Sequence, residues 1–158
     1  MAQVFAPVAP TLTYLCHAIV ELATPLAVGP TPLGERRIIP IIGGRFSGER
    51  LAGEILPGGA DWQLVRPDSA AVLDARYTLH TTDGALVYVE NRGLRHGPPE
   101  VLARLARGEV VDPATYSFRT TPRFETGDPR YTWLNTLIGI CSGVRAANAV
   151  ILDFYEVR

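Results

Sequence analysis

Short runs of residues with high β-propensity recur along almost the whole chain, and glycine, proline or aspartate separates them. This spacing is typical of an antiparallel sandwich or barrel rather than of a helical fold. A chain of 158 residues is long enough to bury a core without help from disulfides or metals. The expected strands are 12–22, 37–42, 45–55, 61–66, 71–81, 85–94, 116–120, 131–140 and 147–157.

Two local patterns fix parts of the connectivity. Asp83 and Gly84 stand between two β-rich runs, and an Asp-Gly pair is preferred in tight hairpin turns. Strands 71–81 and 85–94 are therefore expected to pair antiparallel. Residues 98–108 predict one helix, because prolines and Glu100 precede its apolar residues, arginines follow them, and Gly108 lies beyond the end.

Glycines inside the expected strands decide between a sandwich and a barrel. Gly43, Gly44, Gly48 and Gly53 fall within β-rich runs, where glycine commonly marks a bulge or a sharp bend that lets a sheet coil. We therefore predict one domain over residues 1–158, an all-β fold with a closed or nearly closed antiparallel β-barrel and one short helix. The Pro- and Gly-rich segment 28–34 is expected to be a loop.

Charge and hydropathy narrow the classes of partner and the location. The formal net charge is −1 and the pI is about 6.3, so no basic face for nucleic acid or an anionic membrane is expected. The first 35 residues contain no Lys or Arg, so a signal peptide is not indicated, and His17 and Glu21 interrupt the apolar run too early for a membrane span. The chain is expected to be soluble and cytoplasmic.

Five short segments occur together in an order that resembles a known family: GGADW at 58–62, RYTL at 76–79, DGAL at 83–86, RFETGDPRY at 123–131 and WLN at 133–135. On these segments the chain is similar, over about residues 12–157, to the family called domain of unknown function 3237 (DUF3237) or uncharacterised protein family 0311 (UPF0311). The resemblance implies a compact antiparallel barrel like lipocalin-like and allene oxide cyclase-like barrels, a bacterial cytoplasmic location and a homodimer. It assigns no activity and no catalytic residue.

Two carboxylates are the candidate catalytic residues. Asp61 opens a strand after two glycines, and Glu125 lies in the segment 123–128. A carboxyl group set against apolar surface in a barrel mouth can have its pKa raised enough for general acid or base catalysis near neutral pH. The alternative is structural: Asp61 would cap a turn, and Glu125 would pair with a nearby arginine.

Strand alternation orients the candidate ligand-binding residues. It places Trp62 on the face opposite Asp61 and Gln63, and it points Tyr77 inward and Arg76 to the other face. Trp133 and Asn135 would likewise share a face, whereas a one-residue slip would reverse each assignment. The candidates are Trp62, Gln63, Arg76, Tyr77, Tyr88, Arg119, Trp133 and Asn135, and the alternative for each aromatic residue is an ordinary core position.

No metal site and no cofactor are expected. His17, His80 and His96 lie in different segments without the short spacing of zinc ligands. Cys16 and Cys141 are far apart in the chain and belong to no CxxC pair, so both are expected as buried, reduced thiols.

Three functional hypotheses remain open from the sequence. In the first, the barrel mouth takes up a small, partly apolar organic molecule, and carboxylates catalyse an isomerisation, cyclisation or elimination without a cofactor. In the second, the same pocket belongs to a binding or carrier protein without turnover. In the third, the protein is a structural dimer whose barrel is filled with side chains.

Overall fold

The structure is a computed structural model that describes residues 4–158. Within these residues it contains ten strands, one α-helix and two short 3₁₀ helices. The helices are α1 (Pro99–Ala106) and the 3₁₀ helices Pro113–Thr115 and Pro129–Thr136. The strands are β1 (Leu12–Leu22), β2 (Leu26–Thr31), β3 (Gly34–Ser47), β4 (Gly53–Ile55), β5 (Gly59–Val65), β6 (Ala71–Thr81), β7 (Leu86–His96), β8 (Ser117–Glu125), β9 (Gly139–Arg145) and β10 (Ala149–Val157).

The strands form a single antiparallel sheet that closes on itself. The sheet runs from β1 through β10, β9, β8, β7 and β6, then through β4 and β5 to β3, and β3 pairs with β1. Strands β2 and β1 lie end to end along one edge of β3, while β5 and β4 lie end to end between β3 and β6. The ten strands therefore occupy eight positions around the wall, and the predicted closed barrel with one short helix is confirmed.

Both local predictions of connectivity are confirmed. Strands β6 and β7 pair antiparallel around the Asp83-Gly84 turn, from Ala71 with Arg95 to His80 with Leu86. Helix α1 has proline at its start, Glu100 in its first turn and Arg104 in its last turn. No helix among residues 4–158 has the length and apolarity needed to cross a membrane.

The glycines bend the wall at β3. The pairing of β1 with β3 shifts register between Glu21 and Leu22, where Gly43 and Ile41 are the successive partners. Gly44 has a φ of +137°, and a Cβ there would lie 2.2 Å from the carbonyl oxygen of Ile19. The bulge therefore needs glycine, and it lets one long strand pair with β2 and β5 at its start and with β1 and β4 at its end.

Three sequence-based boundaries were wrong. Residues 28–34, expected as a loop, mostly form strand, because β2 pairs with the start of β3 and only residues 32 and 33 make the turn. The expected strand 45–55 is interrupted at 48–52, between β3 and β4. The expected strand 131–140 is largely the 3₁₀ helix Pro129–Thr136, which Asp128 caps by accepting a hydrogen bond from the backbone N–H of Arg130.

The barrel has one filled end and one open end. At the end where β8 finishes and β9 begins, the 3₁₀ helix Pro129–Thr136 covers the interior, and Leu134 and the loop residue Leu51 are almost completely buried. At the opposite end, where β7 and β9 finish, α1 lies beside the opening and contributes only Leu105 as a buried residue. Any molecule entering the barrel therefore has to come from the α1 side.

Gly143 allows a buried aromatic ring to pack flat against the wall near this open end. A Cβ at Gly143 would lie 2.7 Å from Cγ of Phe118 and 2.8 Å from both Cδ atoms. Gly143→Ala is therefore expected to lower the free energy of unfolding by about 1–3 kcal/mol through overpacking. Urea denaturation of the variant and the wild type measures the difference.

Gly127→Ala is the matched control, because nothing lies within 4 Å of a Cβ at that glycine. Its free energy of unfolding is expected to stay within about 0.5 kcal/mol of the wild type. Equal destabilisation by the two substitutions would contradict the packing described for Phe118.

Candidate functional site

A small cavity, the inner chamber, lies within the barrel wall. Its volume is about 50 Å³, and all eight wall positions contribute side chains to it. A cavity of this size holds a group of a few atoms, since benzene needs roughly 150 Å³. Most of the interior is therefore packed, and the polar residues that line the chamber are Asp61, Gln63, Tyr77, Asn91, Arg95, Thr120 and Arg145.

A wider cavity, the vestibule, adjoins the inner chamber at the open end. Its volume is about 510 Å³, which lies within the range of small-molecule sites. Leu102 and Leu105 of α1 form part of one side, and Val65 of β5 lies among the strand residues that line it. The two cavities share Ile39, Arg95 and Arg145 in their linings, so these side chains mark the junction between them.

Asp61 is the carboxylate that lines the inner chamber. Its Oδ1 accepts a hydrogen bond from the backbone N–H of Asp74 at 2.9 Å, and its Oδ2 accepts one from Nε2 of Gln63 at 3.1 Å. Burial raises the pKa of Asp61 above its ordinary value of 3.8, while these two hydrogen bonds and the positive charge of Arg95 act in the lowering direction. The group is therefore held in one orientation and is more readily protonated than an exposed aspartate.

Two buried polar atoms on residues that line the chamber lack hydrogen-bond partners in the described part of the chain. They are Oδ1 of Asn91 and Oγ1 of Thr120, and both residues are buried. Asn91 donates through Nδ2 to the hydroxyl oxygen of Tyr77 over a long 3.5 Å, and burial raises the pKa of Tyr77, which stays a neutral phenol. Buried polar groups are normally bonded, so two unbonded polar atoms in the chamber wall are unusual for a protein core.

Three arginines surround the junction of chamber and vestibule, and the sequence analysis missed all of them. Burial lowers the pKa of Arg95 to about 10, and the positive charges of Arg145 and Arg37 act in the same direction, so the three guanidinium groups are close together. Arg37 and Arg95 belong to alternating strand positions that face inward, and Arg145 ends β9. Alternation counted along β7 from an inward Asn91 would have predicted Arg95.

The structure divides the sequence-predicted site residues between the inside and the outside of the barrel. Asp61, Gln63 and Tyr77 line the inner chamber, as alternation predicted. Trp62 and Arg76 are exposed and face a shallow surface depression beside Asp74. Asp61 and Trp62 therefore lie on opposite faces of β5, because no bulge intervenes between them.

The remaining candidates lie on the outer surface, away from the chamber. Tyr88, Glu125 and Asn135 line an outer groove, and Arg119 is exposed on β8. Asp61 and Glu125 thus share no cavity. The amide of Asn135 bonds both backbone groups of Thr126, at 2.8 and 3.0 Å, which fixes the 3₁₀ helix to the end of β8.

Trp133 packs at the filled end, where the guanidinium carbon of Arg50 lies 4.0 Å from its ring centre. The expected shared face of Trp133 and Asn135 is wrong, because alternation applies to strands and this segment is helical. Strand propensity of the aromatic residues outweighed the Asp128-Pro129 start signal in the sequence-based prediction.

Both cysteines are free and buried, as expected. Burial raises the pKa of Cys16 to about 12 and raises that of Cys141 as well, so both stay thiols at neutral pH. Within residues 4–158, no three His, Cys, Asp or Glu side chains come close enough to hold a metal ion together.

Comparison with known proteins identifies the family. The family model described as "Protein of unknown function (DUF3237)" matches residues 10–157. The chain belongs to the DUF3237 family. A UPF0311 protein of Rhodopseudomonas palustris is 46% identical over 150 residues, which cover 94% of this chain and 98% of that protein.

Solved structures resemble this DUF3237 chain over nearly its whole length. The crystal structure of the R. palustris protein has a TM-score of 0.93 at 43% identity and covers 96% of this chain and 100% of that chain. A β-barrel-like protein of Acinetobacter baumannii has a TM-score of 0.86 at 44% identity, covering 98% and 99%. An enzyme of Penicillium herquei has a TM-score of 0.74 at 18% identity, covering 99% and 100%, and this likeness shows the fold alone.

The raised pKa of Asp61 predicts how its removal changes stability with pH. Below about pH 3.8 the carboxyl group of Asp61 is protonated in both the folded and the unfolded protein. As the pH rises through the folded-state pKa, the folded protein acquires a buried charge, whereas the unfolded chain carries that charge in water. The wild type therefore loses stability over this pH range. The stability of Asp61→Asn relative to the wild type is therefore expected to increase as the pH rises from 3.8 through the folded-state pKa. Loss of the hydrogen bond from Gln63 shifts the free energy of unfolding of the variant by a constant amount. The informative quantity is therefore the change with pH of the difference in free energy of unfolding between variant and wild type.

Asp68→Asn is the control with the opposite sign. Hydrogen bonds from the exposed Arg66 lower the pKa of Asp68 to about 2, so the wild type gains stability over this variant between about pH 2 and 3.8. Urea denaturation at a series of pH values from 2 to 7 measures the free energy of unfolding of both variants and the wild type. A flat or falling difference for Asp61→Asn above pH 3.8 would contradict the environment described for Asp61.

Proposed function

We propose that the protein binds a small, partly apolar organic molecule in the vestibule and takes one end of it into the inner chamber, where Asp61 acts as a general acid or base without a cofactor. The observation that carries the proposal is the buried carboxyl group of Asp61, which lines the chamber together with Asn91 and Thr120, two residues that each have an unbonded buried polar atom. A chamber for a few atoms and a vestibule of about 510 Å³ suit a molecule with a narrow polar end and a wider body.

The chemistry open to these residues is proton transfer next to a carbonyl group. With a ligand carbonyl in the chamber, the Asp61 carboxylate would remove a proton from the adjacent carbon, and the electron pair of the broken C–H bond would move onto the carbonyl oxygen as an enolate. The neutral phenol of Tyr77 would donate a hydrogen bond to that oxygen. In a β,γ-unsaturated ligand, Asp61 would return the proton to the γ carbon; the carbonyl re-forms, the double bond moves to the α,β position, and the isomerisation is complete.

A binding or carrier protein without turnover is the second candidate. Its support is that both carboxylate oxygens of Asp61 already accept hydrogen bonds within the chain, from Asp74 and Gln63, which would equally suit a structural role. Both candidates need the same cavities, and they differ only in whether the proton of Asp61 moves.

The test uses the molecule that native mass spectrometry recovers with the protein from its own host. In D₂O, the wild type is expected to exchange a ligand C–H for deuterium or to form product, as followed by NMR. Asp61→Asn should bind the same molecule within about twofold and lose about 10²–10⁴ in rate, the usual contribution of general acid–base catalysis. Binding with no exchange by the wild type would establish the carrier and exclude the enzyme.

Ala75→Leu checks that binding uses the inner chamber. Ala75 lines the chamber, so the three added carbon atoms are expected to fill it and to weaken binding at least about tenfold. Ala114→Leu is the matched control, because Ala114 is exposed and lines neither cavity. Unchanged affinity in Ala75→Leu would contradict the proposed site.

A further inference from the structure

We propose that Arg37, Arg95 and Arg145 bind a carboxylate group of the ligand at the junction of the vestibule and the inner chamber. This inference rests on the proposed function and names the ligand class: a small organic acid with an apolar body. All three arginines line the vestibule, and Arg95 and Arg145 also line the chamber.

Arg95 is the strongest indication of an anion site, because its guanidinium group is buried and has no acceptor among the described residues. Only 8% of the residue is exposed, yet within residues 4–158 its side chain makes no hydrogen bond and no ion pair. Its one specific contact is with the ring of Phe118, whose centre lies 5.7 Å from the guanidinium carbon. A buried cation with five donors is normally paired, so the open side of Arg95 points to an anion from outside the chain.

The other two arginines leave donors free around the same space. Arg37 donates to Oε1 of Gln63, while its Nε is buried and has no partner. Arg145 donates from Nη1 to the backbone oxygen of Ala149 at 3.2 Å, and no carboxylate lies within 4.0 Å of it among the described residues. Each of the three therefore has N–H groups beyond those that the protein uses.

The charges that face the junction do not balance within the chain. Asp61 is the only carboxylate lining the chamber among residues 4–158, and it bonds Asp74 and Gln63 rather than an arginine. Glu35 lines the vestibule and forms no ion pair with the residues that the structure describes, whereas Arg107 there is paired with Glu109. One added negative charge at the junction would reduce the repulsion among the three guanidinium groups.

The surroundings favour an organic acid over a free inorganic anion. A carboxylate matches the planar fork of a guanidinium group and can accept two parallel hydrogen bonds from it. The adjoining surface of the vestibule includes Leu102, Leu105, Ile39 and Val65, which would cover an apolar body attached to that carboxylate. Inorganic phosphate would bond the arginines and leave this apolar surface in contact with water.

The experiment compares 2-naphthoate with 2-naphthalenemethanol, a neutral probe of similar shape, by isothermal titration calorimetry. Backbone amide shifts of Leu102 and Leu105 in NMR spectra confirm that binding occurs in the vestibule. The wild type is expected to bind naphthoate at least about tenfold more tightly than the alcohol, the usual effect of a charge-assisted hydrogen bond. Inorganic phosphate alone is expected to bind more weakly than naphthoate.

Arg95→Met tests the residue that carries the inference. It should lower naphthoate affinity at least about tenfold, leave the affinity for the alcohol within about twofold, and unfold at a temperature no lower than the wild type, because it removes an unpaired buried charge. Arg45→Met on β3 is the matched control: Arg45 is exposed and lines neither cavity, so both affinities should stay unchanged. Arg145→Met is the second variant and should give a smaller loss in the same direction.

The contrary outcomes separate this inference from the proposed function. Equal affinity of the wild type for naphthoate and the alcohol would overturn the carboxylate site and leave the small-molecule function standing. Phosphate binding as tight as that of naphthoate would overturn the organic acid in favour of a free oxyanion. Failure of both naphthalene probes to bind would overturn the vestibule as a ligand site and the proposed function with it.

Discussion

Closure of the sheet is the constraint on which the other features depend. Because eight strand positions surround a narrow interior, every second side chain of each strand points into a space that has little room. Close pairing of β1 with β3 requires glycine at position 44, where a side chain would collide with the backbone of Ile19. The interior is then filled from one end by Leu51 and Leu134, and the remaining space lies at the α1 end.

That filling gives the site its shape and its electrostatics. Inward positions near the open end of β3, β7 and β9 carry arginines, and Asp61 on β5, the carboxylate that lines the chamber, is bonded to Asp74 and Gln63. In a protein core, such positions are normally occupied by apolar residues, or each charged residue is paired with one of opposite charge. The barrel instead keeps unpaired donors around a cavity, an arrangement that has a physical rationale when an anion occupies it.

The sequence predicted the barrel, the β6–β7 hairpin, the helix and the inward direction of Asp61, Gln63 and Tyr77, because each follows from local turn residues or from strict alternation within a strand. It could not show which inward residues meet across the barrel. Arg37, Arg95 and Arg145 lie on three strands far apart in the chain, and only closure brings them together. Trp133 and Asn135 were misplaced because aromatic and β-branched residues were given more weight than the Asp-Pro pair that starts a 3₁₀ helix.

The proposed ligand is an organic anion that binds against Arg95 at the open end of the barrel. The most direct measurement is a high-resolution crystal structure of protein purified from its host and crystallised without phosphate, sulfate or organic acids. Electron density for an organic carboxylate is expected within about 3 Å of the guanidinium nitrogens of Arg95, with its body extending into the vestibule. Ordered water alone at that position, with Arg95 bonded instead to a carboxylate of its own chain, would contradict the account.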